Sequence, residues 1–599
     1  MSETKKLPKR TEISDKYKWK VEKIYKDIDE WEKDFKALKE NAAILPGYQG
    51  KLNNPSELLS FLQESEKVDR LAETLMVYAH LKSDEDTSNT TYQGLKNKID
   101  SYLAELASLS AFFVPEVLSL PEDYPERAME EVQQLKLYDF FLKDIFKSKP
   151  HILSKPEEEI LASISDNLQA PHNIFNMLTN ADMTFPTIVD EKGEKVELTE
   201  GNYNSFIKSK DRRVRKEAFK GLFETYEKYN NTLGTSLSSS MKNFIFQAKT
   251  RKYSSALEAS LKPNNIPLEV YDNALETINN NVDLLHRYVK IKKQLLGLEE
   301  MHIYDLYVPL IDIPKEEIPF EQGVELVKTA LKPLGKEYID IFSDGIEKGW
   351  IDVFENKGKR GGAYSWGTYD TMPYVLLNYN ETLNDVSTLA HEMGHSIHSF
   401  YSKKEQPYIY SQYTLFCAEV ASTTNEILLI HYLIDNEKDS RRKLFLINQE
   451  LEQIRTTVFR QLMFAEFEKI THELLEEGNP LTAKEYSSIW HDINVKFFGE
   501  DIVVDKEIDM EWARIPHFYR DFYVYQYATG YAAASAFANS ILTDSERGVK
   551  EYKKFLKSGG KDYPINILKD SGVDMTTPAP LEATLERFKS LLDMLENIK

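Results

Sequence analysis

Thr382-Leu-Asn-Asp-Val-Ser-Thr-Leu-Ala-His391-Glu392-Met-Gly394-His395-Ser-Ile-His398-Ser-Phe400 is the stretch that decides how this chain is read. Thr382 or Asn384 offers an N-cap, Asp385 follows near the positive end of a helix, and Val386, Leu389 and Ala390 give it an apolar side. Helix positions four apart lie about 400° round the axis, so His391 and His395 project from one face and can share an ion. Glu392 lies about 100° away, too far round to join them as a ligand. It is placed to hold a water at the ion and take its proton. Gly394 costs about 1 kcal/mol against Ala in a helix, which points to close packing or substrate approach.

Two imidazoles leave zinc short of the three protein ligands that catalytic sites usually carry. His398 shares the face of His391 but sits about 10 Å along the axis from it, too far to bind the same ion; it is expected as a packing or ligand-orienting residue. A better candidate lies in Tyr413-Thr-Leu-Phe-Cys417-Ala-Glu419-Val-Ala-Ser-Thr-Thr-Asn-Glu426-Ile-Leu-Leu-Ile430, a second and largely apolar helix. Glu419 and Glu426 are seven apart and share a face. A carboxylate on an apolar helix is costly unless a cation or hydrogen bonds meet it. Glu419, 24 residues after His395, leaves room for a loop and an antiparallel return. Glu426 would then orient an imidazole N–H, or simply be a solvated or locally paired carboxylate.

These two segments together, HEMGHSIH and FCAEVASTTNE, resemble the oligoendopeptidase F branch of the thimet-oligopeptidase-like zinc metallopeptidases. The resemblance extends to Leu198–Phe206, Asp211–Phe219, Arg251–Ala259, Gly358–Ser365 and the Tyr-rich run near 520, and covers residues 190 to 590 most strongly. It implies one Zn2+ per chain held by His391, His395 and Glu419, with Glu392 as general base. It also implies a mainly α, two-lobed helical metallopeptidase with a deep substrate channel and a small β-sheet near the active site.

The Tyr-rich run, Ile515-Pro-His517-Phe-Tyr-Arg-Asp-Phe-Tyr523-Val-Tyr-Gln-Tyr527-Ala-Thr-Gly-Tyr531, has chemistry of its own. Tyr527 and Tyr531 share a helix face, and Tyr523 would continue the stripe one turn earlier. Such a stripe is most often core or surface. Beside a polarised carbonyl, however, phenol O–H groups stabilise the oxyanion of a tetrahedral intermediate, and His517 could do the same or bind the substrate backbone. The resemblance puts His517, Tyr527 and Tyr531 on the family's transition-state-stabilising positions.

Gly358-Lys-Arg-Gly361-Gly362-Ala363-Tyr364-Ser-Trp-Gly367 is glycine-rich but lacks GxGxxG and a Lys-Ser/Thr phosphate loop, so nucleotide binding is poorly supported. It leads into a short strand pattern, Tyr374–Asn378. Glycines beside a strand let another backbone approach. Gly361, Gly362, Ala363 and Tyr364 are therefore candidates for gripping a peptide that adds to a sheet edge, although a plain hairpin reads equally well from the residues alone.

Composition bounds the rest. The 599-residue chain is 41% hydrophobic, which permits a large core divided into lobes. Its 75 basic and 97 acidic residues give a formal charge of −22, unsuited to nucleic acid or an anionic membrane. Met1–Lys20 lacks an apolar signal region, and no run is long and apolar enough to span a bilayer. The single cysteine, Cys417, suits a reducing cytoplasm and reads as a buried thiol facing away from the ion.

Helical stripes dominate, for example Leu95, Ile99, Leu103 and Leu106, with further stretches near 56–82, 205–250, 267–297, 440–477 and 580–598. Strand signals are confined to a hairpin at 185–198 and to 363–378. His472-Glu473 imitates the metal motif without a second His and reads as ordinary helical surface. The turn-rich passage near 180–202 is expected to divide an N-terminal helical lobe, 1–195, from a catalytic domain, 196–599.

The whole describes a zinc endopeptidase acting on short oligopeptides. The alternatives are a zinc carboxypeptidase or dipeptidase working at peptide termini, or a peptide-binding module with a dead site, against which the intact Glu392 argues. Oligomeric state is not readable from the sequence.

Overall fold

The computed structural model describes residues 6–311 and 316–597. The first five residues of the Met1–Lys20 stretch and the last residue of the 580–598 stretch lie outside them. Helices dominate, and the described residues contain five short strands. The chain divides into two compact units, each assembled from separated segments. One comprises Met1–Lys149, Lys315–Leu429 and Phe537–Gly572; the other comprises Pro150–Pro314, Ile430–Ala536 and Val573–Lys599. This differs from the single cut at 195/196 expected from the sequence. Turn chemistry near 190 is real but local. It makes a hairpin of β1 (Thr187–Val189) and β2 (Lys195–Glu197) inside the second unit, whereas long-range packing sets the units.

In the first unit, Asn54 caps the Pro55–Glu85 helix by accepting from Ser56 N at 2.9 Å, with Pro55 in the first turn, where its missing N–H costs nothing. The Thr90–Ser110 helix buries Leu95, Ile99, Tyr102 and Leu106 in the same core, and Leu103 packs at its margin. By length and composition alone, the helical stretch Thr90–Ser119 could span a bilayer, where the sequence pattern pointed to none. One face of it, Leu95, Ile99, Tyr102 and Leu106, is buried against the rest of the unit.

The sheet of this unit has the order β3-β5-β4. Here β3 (Ile351–Asp352) runs parallel and β4 (Tyr364–Trp366) antiparallel to the central β5 (Tyr374–Leu376). All three β5 residues are buried, as expected of a strand covered on both faces, while β4 is half-buried and lies at the edge. The sequence pattern located β4 and β5 but not the two-residue β3. Buried Asp352 at its end pairs with Lys359 at 2.7 Å and with Arg10 at 2.7 Å, which satisfies charges that would otherwise be costly there.

The His helix spans Leu383–Glu405 and the Glu helix spans Leu415–Asn436. Thr382 is the N-cap, in a reciprocal capping box. Its hydroxyl accepts from Asp385 N at 3.2 Å, and its own N–H donates to Asp385 Oδ2 at 2.9 Å. Gly394 lies directly against the backbone of the Glu helix. A Cβ there would lie 2.6 Å from Ser422 Cα and 2.9 Å from Ala421 O. Of the two readings of Gly394, close packing is the one the structure bears out. Asn425 pins the same crossing, donating to Ala390 O at 2.9 Å and accepting from Tyr338 Oη at 2.9 Å.

The obstacle to a side chain at Gly394 is backbone, so neither helix can yield without moving a candidate ligand. Gly394→Ala is expected to destabilise the protein by about 1–3 kcal/mol, read as a lower denaturation midpoint. An unchanged midpoint would mean that the crossing is loose.

Candidate metal centre

The helix crossing brings three donor atoms together. His391 Nε2 lies 3.2 Å from His395 Nε2 and 3.4 Å from Glu419 Oε2, and His395 Nε2 lies 3.6 Å from Glu419 Oε2. Among the described residues this is the one cluster of three or more such side chains able to hold a metal ion. Two ring nitrogens and a carboxylate oxygen this close repel one another unless positive charge sits among them. The spacing also suits zinc: tetrahedral ligands at about 2.0–2.1 Å from an ion stand about 3.3–3.4 Å apart. The Glu419 side chain is 52% exposed, so it is not the inward carboxylate the sequence suggested. That exposure leaves the cluster within reach of solvent.

Electrostatics agree with the geometry. Burial alone would lower the pKa of His391, but hydrogen bonding to Glu419 and Glu426 outweighs it and holds the ring up to about 10. The same contacts with His391 and His395 keep Glu419 well below the usual carboxylate range. Both directions have one cause, the close approach of these imidazoles and carboxylates. Behind the triangle, Glu426 Oε2 accepts from His391 Nδ1 at 2.9 Å. That contact fixes the tautomer with its Nε2 lone pair toward the cluster. Ser387 Oγ donates in turn to Glu426 Oε1 at 3.1 Å, and Ser422 Oγ lies 3.3 Å from Glu419 Oε2. Neither serine was singled out from the sequence, although Ser387 stands four residues before His391 and so on its face.

Glu392 is buried, 7% exposed. Burial raises its carboxyl pKa, His391 and His395 oppose the rise, and Glu419 and Glu426 add to it. His398 does not orient a ligand. Its ring stacks on Tyr413 at 3.8 Å and packs against Phe555 at 4.9 Å, with Nδ1 unpartnered and the pKa pushed down to about 3 by burial. Seven residues of helix carry it past the cluster into an aromatic layer. Cys417 is buried, its thiol pushed up to about 12, consistent with an inert side chain.

The glycine-rich segment shapes the edge of the sheet in the same unit. Gly362 adopts φ +84°, and Asn378 clamps the turn by donating to Arg360 O at 3.0 Å and Gly362 O at 2.8 Å. Gly361 is exposed, and Tyr364 opens β4 with its hydroxyl donating to Asp84 at 2.7 Å. A cavity of about 320 Å³ is lined by Gly362, Ala363, Asn378, Asp385 and Thr388, next to the first turns of the His helix. Ser365 of β4 is 2.8 Å from Ser396 of that helix.

In the second unit, His517 stacks on Tyr523 at 5.9 Å and its Nε2 is 3.3 Å from Tyr527 Oη. Tyr531 is buried one turn on. Tyr523 does not extend the helical stripe: the helix begins at Tyr525, after a turn at Asp521–Phe522. His472, expected on the surface, is buried.

The family model described as peptidase family M3 matches residues 205–587, and one described as oligopeptidase F matches 116–185. The chain is 46% identical to oligopeptidase PepF of Bacillus subtilis, over 100% of this chain and 90% of that protein. A crystal structure from Chlamydophila abortus superposes with a TM-score of 0.95 at 37% identity, covering 99% of this chain and 100% of the other. The crystal structure of oligoendopeptidase-F from Enterococcus faecium gives 0.73 at 37% identity, covering 95% and 99%.

Removing a donor should remove the metal. Glu419→Ala is expected to lose bound zinc in elemental analysis; a fully loaded variant would put the third ligand elsewhere, Glu426 first. Glu426→Ala should keep the ligands but weaken zinc about 10–100-fold, seen as faster loss to a competing chelator.

Proposed function

The chain belongs to peptidase family M3, in its oligoendopeptidase F branch, and from that premise we propose that it is a zinc-dependent endopeptidase cutting internal bonds of short oligopeptides. The triangle of His391, His395 and Glu419 carries the reading, because it offers three donors close enough to share one ion, with Glu419 exposed to solvent. Bound there, zinc would supply the positive charge that acidifies water and polarises a peptide carbonyl.

The protein residues do the remainder. Glu392 accepts the proton of the attacking water on its carboxylate and passes it to the nitrogen of the leaving amine. Burial raises the Glu392 pKa in spite of the opposing His391 and His395, and a raised pKa makes a carboxylate a stronger base than an exposed glutamate. Glu426 holds the His391 ring at the angle the ion needs. Backbone groups of Gly361, Gly362, Ala363 and Tyr364 hold the peptide along β4, with weak demands on its side chains. Oxyanion stabilisation is the role that family resemblance assigns to His517, Tyr527 and Tyr531.

Partners are therefore short peptides, with neither nucleic acid nor membrane suited to a charge of −22. The single buried thiol suits a reducing compartment, and we assign the protein to the cytoplasm.

Digestion of a peptide library blocked at both termini, with and without chelator, tests the reaction. Internal cleavage abolished by chelation and restored by zinc is expected. Cleavage that requires a free terminus would indicate a carboxypeptidase or dipeptidase instead. In the same assay Glu392→Gln should retain zinc and lose at least about a hundredfold in kcat, and near-parental turnover would remove Glu392 from its role.

A further inference from the structure

Four residues other than glycine hold left-handed backbone among those described, and Phe522, at φ +57°, is the one that is buried. A bulky residue keeps that conformation only where its surroundings fix it. Here they do. Phe522 N donates to Glu468 Oε1 at 3.0 Å. The neighbouring Asp521 is held twice: its carbonyl accepts from Ser260 Oγ at 3.1 Å, and its carboxylate lies 3.2 Å from His472 Nε2. The Phe522 ring packs at 4.4 Å against His472 and 5.8 Å from Tyr271.

Glu468 is the unusual member of this group. It is fully buried, and its second oxygen, Oε2, has no partner. A buried carboxyl with one idle oxygen is a costly way to fill a core, and its one hydrogen bond to another element is spent on the strained turn. That turn leads directly into Tyr523 and then the helix bearing Tyr527, and both rings rest on His517 at 5.9 and 6.0 Å.

We infer that Glu468 is a positioning residue for peptide hydrolysis: its buried carboxyl fixes the Asp521–Phe522 turn and so sets Tyr523, Tyr527 and His517 in place. The inference rests on the oxyanion role proposed for His517 and Tyr527. Burial raises the pKa of this carboxyl well above the usual range; glutamine of the same shape supplies the same acceptor to Phe522 N, whereas methionine fills the space without one.

The test uses the full-length, zinc-loaded chain and a blocked peptide substrate. Glu468→Met should speed amide exchange across residues 515–527 and lower kcat about tenfold, with KM within about twofold; Glu468→Gln should restore both. Tyr527→Phe, run alongside, should also lower kcat. Parental exchange in Glu468→Met, or parental kcat there while Tyr527→Phe is slow, overturns the inference. Parental kcat in Tyr527→Phe overturns the underlying oxyanion assignment instead. If Glu468→Met does not fold, Glu468→Gln decides alone: faster exchange or a lower kcat in that variant contradicts a role that needs only an acceptor.

Discussion

The structure depends on two helices meeting where one of them has no side chain. Gly394 lets the backbone of the Glu helix approach at Ser422, and Asn425 fastens the crossing one turn further on. Glu419 and Glu426 flank that contact, so a single close approach puts one carboxylate beside the Nε2 atoms of His391 and His395 and the other behind the His391 ring. The HExxH spacing aligns two imidazoles by helix geometry alone. The third donor and the orienting carboxylate come from tertiary packing, and a glycine in mid-helix is the cost of admitting them.

This division explains what was legible in the sequence. Thr382 and Asp385 announce the start of the His helix because capping is local. Glu426 stands out because a carboxylate on an apolar helix demands a reason; Glu419 shares its face, but its exposure shows that burial was not the signal. The mainly helical class and the hairpin near 190 arise from periodicity and turn residues. Ser387 escaped notice, since a serine in a helix carries no signal until its partner is known. His472 is buried where its spacing suggests surface, and His398 takes the packing rather than the orienting alternative, for the same reason: spacing fixes the face of a helix but not what packs on that face. The two compact units were beyond reach, as each is built from segments hundreds of residues apart. The two-residue β3 is too short to have a pattern.

The buried polar groups show where packing density has been given up for placement. Asp352, Lys359 and Arg10 neutralise one another at the end of the sheet, whereas Glu468 keeps an idle oxygen to hold one backbone N–H. Apolar residues would pack better at such positions. Their retention makes sense if what matters is the conformation of the segments they hold, the turn before the Tyr-bearing helix and the loop that leads to the edge strand β4.

Zinc K-edge absorption spectroscopy of the metal-loaded chain tests the central claim most directly. One ion per chain, bound by two imidazole nitrogens and a carboxylate oxygen at about 2.0–2.2 Å with no sulfur, is the predicted result. A sulfur shell at about 2.3 Å, or a single imidazole, would contradict it.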